Sequence, residues 1–188
     1  MKKIPRIKIK DEMRDQAKIE SARRDAFIQH HFEVEHLSYE ERDELGFIGE
    51  FACCQLFGID WKKNIRENYF TIDNFDFIIK GSKIDVKTET VPTEYARKIL
   101  KKEILDNELY GRRLINQGQF KLLHKYDLVI FSLFAREHLD YWFPIGYLET
   151  SVIVNNYPPT KKRPDGGVYP FSGSPVPTSL LKPIQDLL

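Results

Sequence analysis

Between Phe75 and Thr88 the chain alternates with a period of two, breaks at a glycine and alternates again, a pattern that a β-hairpin satisfies. Phe75, Phe77 and Ile79 alternate with Asp76 and Lys80, and Ile84, Val86 and Thr88 alternate with Asp85 and Lys87. The alternation predicts a hairpin over Tyr69 to Thr88 with Gly81-Ser82 as its turn. Glycine at the first central position suits a type II′ loop, whose twist matches the flanking strands. Counting outward then pairs Ile79 with Ile84, Ile78 with Asp85, Phe77 with Val86, and Asp76 with Lys87. One face is apolar. The other gathers Asp76, Asp85 and Lys87, with Asp76 across from Lys87 at a Cβ separation of roughly 5 Å and Asp85 diagonal at roughly 7 to 8 Å.

The elements around this hairpin follow from similar signals. Ser38 and Glu41 form an S-x-x-E capping box, which predicts a helix from Tyr39 to Phe57 ended by a left-handed Gly58. Residues 11 to 32 are highly charged with sparse apolar positions (Met13, Ala17, Ala22, Ala26, Phe27), as in an exposed, weakly packed helix or arm. Helical spacing of Tyr95, Ile99, Leu100 and Ile104 after Pro92 predicts a helix over 93 to 105 with a basic outer face. Tyr126 to Ala135 reads as a buried strand, and Tyr141 to Leu148 as a second one, bent or at an edge because of Pro144 and Gly146. From Tyr157 onward lie seven of the ten prolines, which predicts an irregular C-terminal wrap. The expected architecture is one α/β domain over residues 1–188: a central mixed β-sheet with flanking helices, an N-terminal arm or helix over 1–36 and the Pro-rich wrap over 157–188.

Composition narrows the function classes. A chain of 188 residues that is 41% hydrophobic can form an ordinary core, which excludes wholesale disorder. The longest apolar stretches, Phe77 to Ile79 and Leu128 to Phe131, fall far short of the ~20 residues that span a bilayer. Cys53 and Cys54 are sequence neighbours and cannot support a disulfide framework, so a reducing cytoplasm is the expected setting. With 29 Lys and Arg against 28 Asp and Glu, no global field draws the chain to nucleic acid, and any such binding must be local. The candidate patches are the N-terminal arm (Lys2, Lys3, Arg6, Lys8, Lys10), Arg97 to Lys102 with Lys98 and Lys101, Arg112 with Arg113, and Lys161 to Arg163. No Walker loop, dinucleotide fingerprint, HExxH or G-x-S-x-G elbow occurs. His30, His31 and His36 match no zinc spacing with the two cysteines.

Glu50 stands out within Gly46-Phe47-Ile48-Gly49-Glu50-Phe51-Ala52, because helical spacing surrounds it with Phe47, Phe51, Cys54 and Phe57. A carboxylate beside an apolar stripe needs a partner or a path to water, and Gly46 and Gly49 would let its helix approach another element closely. Asp76 and Asp85 can lean toward one point and share a hard cation such as Mg²⁺, with Lys87 beside its water. The same residues also suit the wet face of an ordinary hairpin. Asp60-Trp61-Lys62 repeats the acid-x-Lys triplet but follows the helix stop and lacks an acidic hairpin partner. Glu89 projects to the side of Lys87 and is expected to be solvated; Gln117 and Gln119 lie on a polar connection near the site.

In order, spacing and predicted elements, Glu50, Asp76 and Asp85-Val86-Lys87, followed by a helix near 93 to 105 and a strand near 126 to 135, resemble the PD-(D/E)XK nuclease superfamily and its restriction-endonuclease-like fold. The resemblance covers about residues 38 to 135 and departs from the family name where Asn74-Phe75 precedes Asp76 in place of proline. It implies that Asp76, Asp85 and the Val86 carbonyl bind Mg²⁺ or Mn²⁺, and that Glu50 completes the site directly or through a water. Lys87 would position the nucleophile and stabilise charge on the phosphorane-like transition state. The implied activity is a DNA endonuclease leaving 5′-phosphate and 3′-hydroxyl ends, with RNA left open as substrate. A homodimer would gather the basic patches and allow double-strand cutting. The alternative is a catalytically inactive member of the same fold that binds nucleic acid or a partner protein.

Overall fold

The computed structural model describes residues 5–25, 37–67 and 76–188. In chain order these form β1 (Ile7–Lys8), α1 (Asp11–Asp25), α2 (Tyr39–Leu56), β2 (Phe77–Ile79), β3 (Ser82–Val91), α3 (Thr93–Lys101), β4 (Arg112–Asn116), α4 (Gln117–Phe120), β5 (Leu128–Ala135), β6 (His138–Glu149), α5 (Thr150–Asn156), β7 (Thr160–Lys162) and β8 (Val168–Pro177). Among the described residues, five strands make a mixed sheet in the order β1-β6-β5-β3-β2, and three make a smaller sheet in the order β4-β8-β7. The chain is thus a mixed α/β fold. Lys2, Lys3, Ala26, Phe27, His30, His31, His36 and the hairpin stretch from Tyr69 to Phe75 lie outside the described residues.

The hairpin turns one residue earlier than its glycine suggests. Ile79 pairs with Ser82 and Phe77 with Ile84, so Lys80 and Gly81 are the central turn residues. Both have positive φ, at 48° and 85°, as a type I′ turn requires. Gly81 adopts this conformation freely, and the match between the turn and the strand twist outweighs its cost at Lys80. Pairing is displaced by two positions from the expected register. Because side chains alternate with period two, every residue keeps its face. Phe77, Ile79, Ile84 and Val86 are accordingly buried together. What changes is the neighbour: Asp76 does not stand across from Lys87, and its backbone N–H donates to the Ile84 carbonyl at 2.8 Å.

Parallel pairing of β3 with β5 runs from Ile84 and Leu128 to Val91 and Ala135. All eight residues of β5 are buried, because the sheet is covered on both faces. On one face, Leu128, Ile130 and Phe134 pack with Phe47, Phe51 and Ala52 of α2 and with Met13 and Ala17 of α1. On the other, Val129 and Phe131 meet Ile115 of β4, Val176 of β8 and Ile153 of α5, and Leu133 meets Ala96 and Ile99 of α3. β6 bulges between its pairings at Gly146 and Pro144, where the sequence suggested a bend.

Two expectations hold only in part. Over Asp11–Asp25 the chain is a helix exposed on one side and closely packed on the other: Met13 and Ala17 are fully buried, and Glu20 is buried in an ion pair with Arg23 at 2.7 Å. Its stripe is made of few, mostly small residues, so hydropathy understates how closely it fits α2. The C-terminal wrap, in turn, carries the strands β7 and β8 between irregular stretches. Pro175 and Pro177 lie opposite Leu114 and Arg112 in the β4–β8 ladder. Positions two apart point their N–H groups to the same side, so both prolines can lack one without interrupting the bonds to β4.

Candidate active site

The site is built where α2 crosses β3. The Ser38–Glu41 capping box fixes the start of α2, with Ser38 Oγ accepting from the Glu41 N–H at 3.1 Å and Glu41 accepting from the Ser38 N–H at 2.8 Å. Ten residues on, Gly49 lies so close to β3 that a Cβ there would fall 1.9 Å from Thr88 Oγ1. The close approach therefore depends on Gly49; Gly46 has open space around it and plays no such part. Seating the helix here buries Glu50 to 9% exposure. Its partners come from the segment after Gly58, whose φ of 70° turns the chain back. Trp61 packs on Phe51 at 5.0 Å and pins a short 3₁₀ turn, Trp61–Asn64, against α2. From that segment Asn64 Nδ2 donates to Glu50 Oε2 at 3.4 Å, and Arg66 Nη2 lies 3.6 Å from the same oxygen. Asp60 is the cap of the 3₁₀ turn, accepting from the Lys62 N–H at 3.1 Å, so the second acid-x-Lys triplet is structural.

Asp76 and Asp85 arrive from the hairpin. β2 is three residues long, so beyond Phe77 the edge of β3 has no β2 residue to pair with. Asp76 Oδ2 takes the place of a strand carbonyl there and accepts from the Val86 N–H at 2.7 Å. Val86 is thus seen to serve the site through its N–H. Asp76 Oδ1 accepts from Arg66 Nη2 at 3.4 Å, so one guanidinium nitrogen touches both Asp76 and Glu50. Asp85 is 3% exposed. Lys87 Nζ donates to its Oδ1 at 2.7 Å, while Oδ2 is buried without a hydrogen-bond partner.

These charges share one field. Burial pushes the Glu50 carboxyl up, against the pull of Arg66, Arg24 and Lys87, and Asp85 pushes it further. Burial likewise raises Asp76 well above the ordinary carboxylate range, with Glu50 and Asp85 adding to it and Lys87 and the Val86 N–H opposing. Burial also pushes the neighbouring Cys54 thiol up to about 12, which leaves it protonated and unreactive. Three carboxylates of this kind, one with an orphaned buried oxygen, are the donor chemistry of a hard divalent cation. As arranged here they are not drawn together around a point: among the described residues no three His, Cys, Asp or Glu side chains converge to hold a metal ion. Arg66 stands between two of them.

The structure sorts the proposed nucleic-acid contacts. Arg97, Lys98, Lys101 and Lys102 are exposed at α3, with Lys98 paired to Glu108 at 2.9 Å. Arg112 donates to the carbonyls of Asp106 and Pro175 at 3.2 and 3.1 Å. Arg113 is 1% exposed, which corrects its assignment to a DNA-facing patch: its guanidinium donates to Glu89 and to the Tyr110 carbonyl. Glu89, its side chain 34% exposed, is accordingly both an ion-pair partner and open to solvent. Gln117 and Gln119 are exposed on α4. Sequence reasoning missed Asn64 and Arg66, which belong to no motif. Their one sequence signal is position, since they follow the helix stop at Gly58 and so return toward the helix that carries Glu50.

Comparison with protein-family models, with curated proteins and with solved structures found no match to this chain.

Proposed function

We propose that this chain is a metal-dependent nuclease of the PD-(D/E)XK type, with a restriction-endonuclease-like fold, that hydrolyses phosphodiester bonds in DNA. Supporting this reading is the order of parts: a helix carrying Glu50, a hairpin carrying Asp76 and Asp85-Val86-Lys87, then α3, then β5 parallel to β3. The observation that carries it is Asp85, buried to 3% exposure with one oxygen on Lys87 and the other without a partner. An unpaired buried carboxylate oxygen is expensive in a purely structural site and is what a cation would satisfy.

Glu50, Asp76, Asp85 and the Val86 carbonyl would hold Mg²⁺ or Mn²⁺. When bound, such an ion supplies charge neutralisation on the scissile phosphate and activation of a water. The chain's own groups do the rest. The Val86 N–H and Lys87 orient the two aspartates, and the Lys87 ammonium offers a donor to the attacking water and positive charge toward the phosphate. Burial of the carboxylates keeps bulk water from screening them.

The test is cleavage of supercoiled plasmid with Mg²⁺ or Mn²⁺. Nicking or linearisation abolished by EDTA and by Asp85→Ala is expected; cleavage that survives Asp85→Ala would overturn the assignment. A second reading, an inactive member of the fold that binds nucleic acid or protein, is favoured by the Arg66 bridge between Glu50 and Asp76. It predicts DNA or partner binding with no metal-dependent cutting.

A further inference from the structure

We infer that Arg66 is a built-in counter-cation that occupies the acidic corner in the metal-free protein and competes with the divalent ion for it. This inference rests on the proposed metal centre and concerns its regulation. The oxygens available to a cation can be counted: Asp76 Oδ2 is taken by the Val86 N–H and Asp85 Oδ1 by Lys87, leaving Asp76 Oδ1, Asp85 Oδ2 and the two Glu50 oxygens, of which Oε2 also accepts from Asn64. Of these four, Arg66 Nη2 covers Asp76 Oδ1 and Glu50 Oε2 at once, at 3.4 Å and 3.6 Å. Both distances exceed the 2.7 to 2.9 Å of a good charge-assisted hydrogen bond. The guanidinium straddles the pair without the fork-on-carboxylate geometry that would lock it to either acid. It is also held from behind, with its carbon 5.7 Å from the Phe47 ring centroid, so it need not leave the site to release the carboxylates.

The physical consequence is a division of labour. With no metal, two buried carboxylates near a third would repel one another, and one guanidinium offsets that repulsion. With metal, the same oxygens must turn to ligands at about 2.1 Å, which a guanidinium lodged between them prevents. The apparent metal affinity is then lowered by the fraction of molecules in which Arg66 still bridges. Arg66 is a positioning residue, acting through the carboxylates.

The experiment is Mn²⁺ binding to the full chain by calorimetry, with melting temperature recorded with and without Mn²⁺, for the parent, Arg66→Gln and Arg66→Lys. Arg66→Gln is expected to bind Mn²⁺ on the order of tenfold more tightly. It should melt lower without metal and recover most of that loss with saturating Mn²⁺. Arg66→Lys, which keeps the charge but loses the planar group that lies against Phe47, should fall between, and it carries the test alone if Arg66→Gln does not fold. Unchanged or weaker binding in the variants would overturn the competition while leaving the metal centre standing, because a merely structural arginine would lower affinity when removed. Absence of Mn²⁺ binding in parent and variants alike would overturn the metal centre and this inference with it.

Discussion

Strand β3 carries two charge clusters four residues apart, and they are built on opposite principles. At its hairpin end, Asp85 joins Asp76 and Glu50, three carboxylates served by Lys87 and Arg66. Further along, Glu89 meets Arg113, one anion against one cation, with the Tyr110 carbonyl taking a second guanidinium nitrogen. The Arg113 Nε is buried without a partner, yet the pair as a whole is neutral. Burial pushes Arg113 down to about 9, still well above neutral pH, so it remains a cation. The second cluster joins β3 to the small sheet and asks for nothing more. The first keeps more carboxyl groups than it pairs and an orphaned oxygen, which a fold has no structural reason to retain.

Lys87→Ala puts the largest strain on this contrast. Lys87 sits in the open cluster, so its loss is expected to cut the rate of metal-dependent plasmid cleavage by about 10³-fold, within the range for losing a preorganised charge or proton-handling group. Mn²⁺ binding and the fold should persist. Normal turnover in this variant would remove Lys87 from the chemistry. Arg113→Ala is the counterpart in the closed cluster. It leaves the half-buried Glu89 carboxylate without its cation, and a loss of about 2 kcal/mol of unfolding free energy in a denaturant titration is expected. Cleavage per folded molecule should be unchanged; a selective loss of cleavage with normal stability would make Arg113 part of the site.

What the sequence made legible follows the reach of each signal. The capping box, the stop at Gly58, the buried β5 and the chemistry of Asp76, Asp85 and Lys87 were readable because each is local or periodic. Face assignment survived a wrong turn at Gly81-Ser82 because the displacement was two residues, an even number. The pairing partner of Asp76 did not survive it. The strand character of 168–177 was hidden because proline counts say nothing about which N–H groups a ladder needs. Arg113 reads as a surface cation beside Arg112, although neighbours on a strand point to opposite faces and do not both turn to solvent when one face is covered. Arg66 was invisible for a different reason: its role exists only once the return after Gly58 sets it against two acids that are far apart in the chain.

The smallest expected effect separates the two clusters by pH alone. Glu50 and Asp76 have their folded-state carboxyls raised, mainly by burial, in a surround of Asp85, Lys87, Arg66 and Arg24. A raised folded-state value means that the native state binds protons more tightly than the unfolded chain. The stabilising contribution is then complete below the unfolded carboxylate range and is lost as pH rises through the raised native values. Arg113 has the opposite sign, since its lowered value of about 9 makes stability increase with pH, but only as pH approaches 9 and beyond. In metal-free protein between about pH 5 and 8, Arg113 is therefore silent and the open cluster gives a downward slope. Melting temperature across that window should fall more steeply in the parent than in the Glu50→Gln, Asp76→Asn double variant, in which both titrating groups are replaced by neutral isosteres. Equal slopes in the two proteins would mean that the acidic corner is no more perturbed than the surface, and the contrast between the two ends of β3 would lose its electrostatic basis.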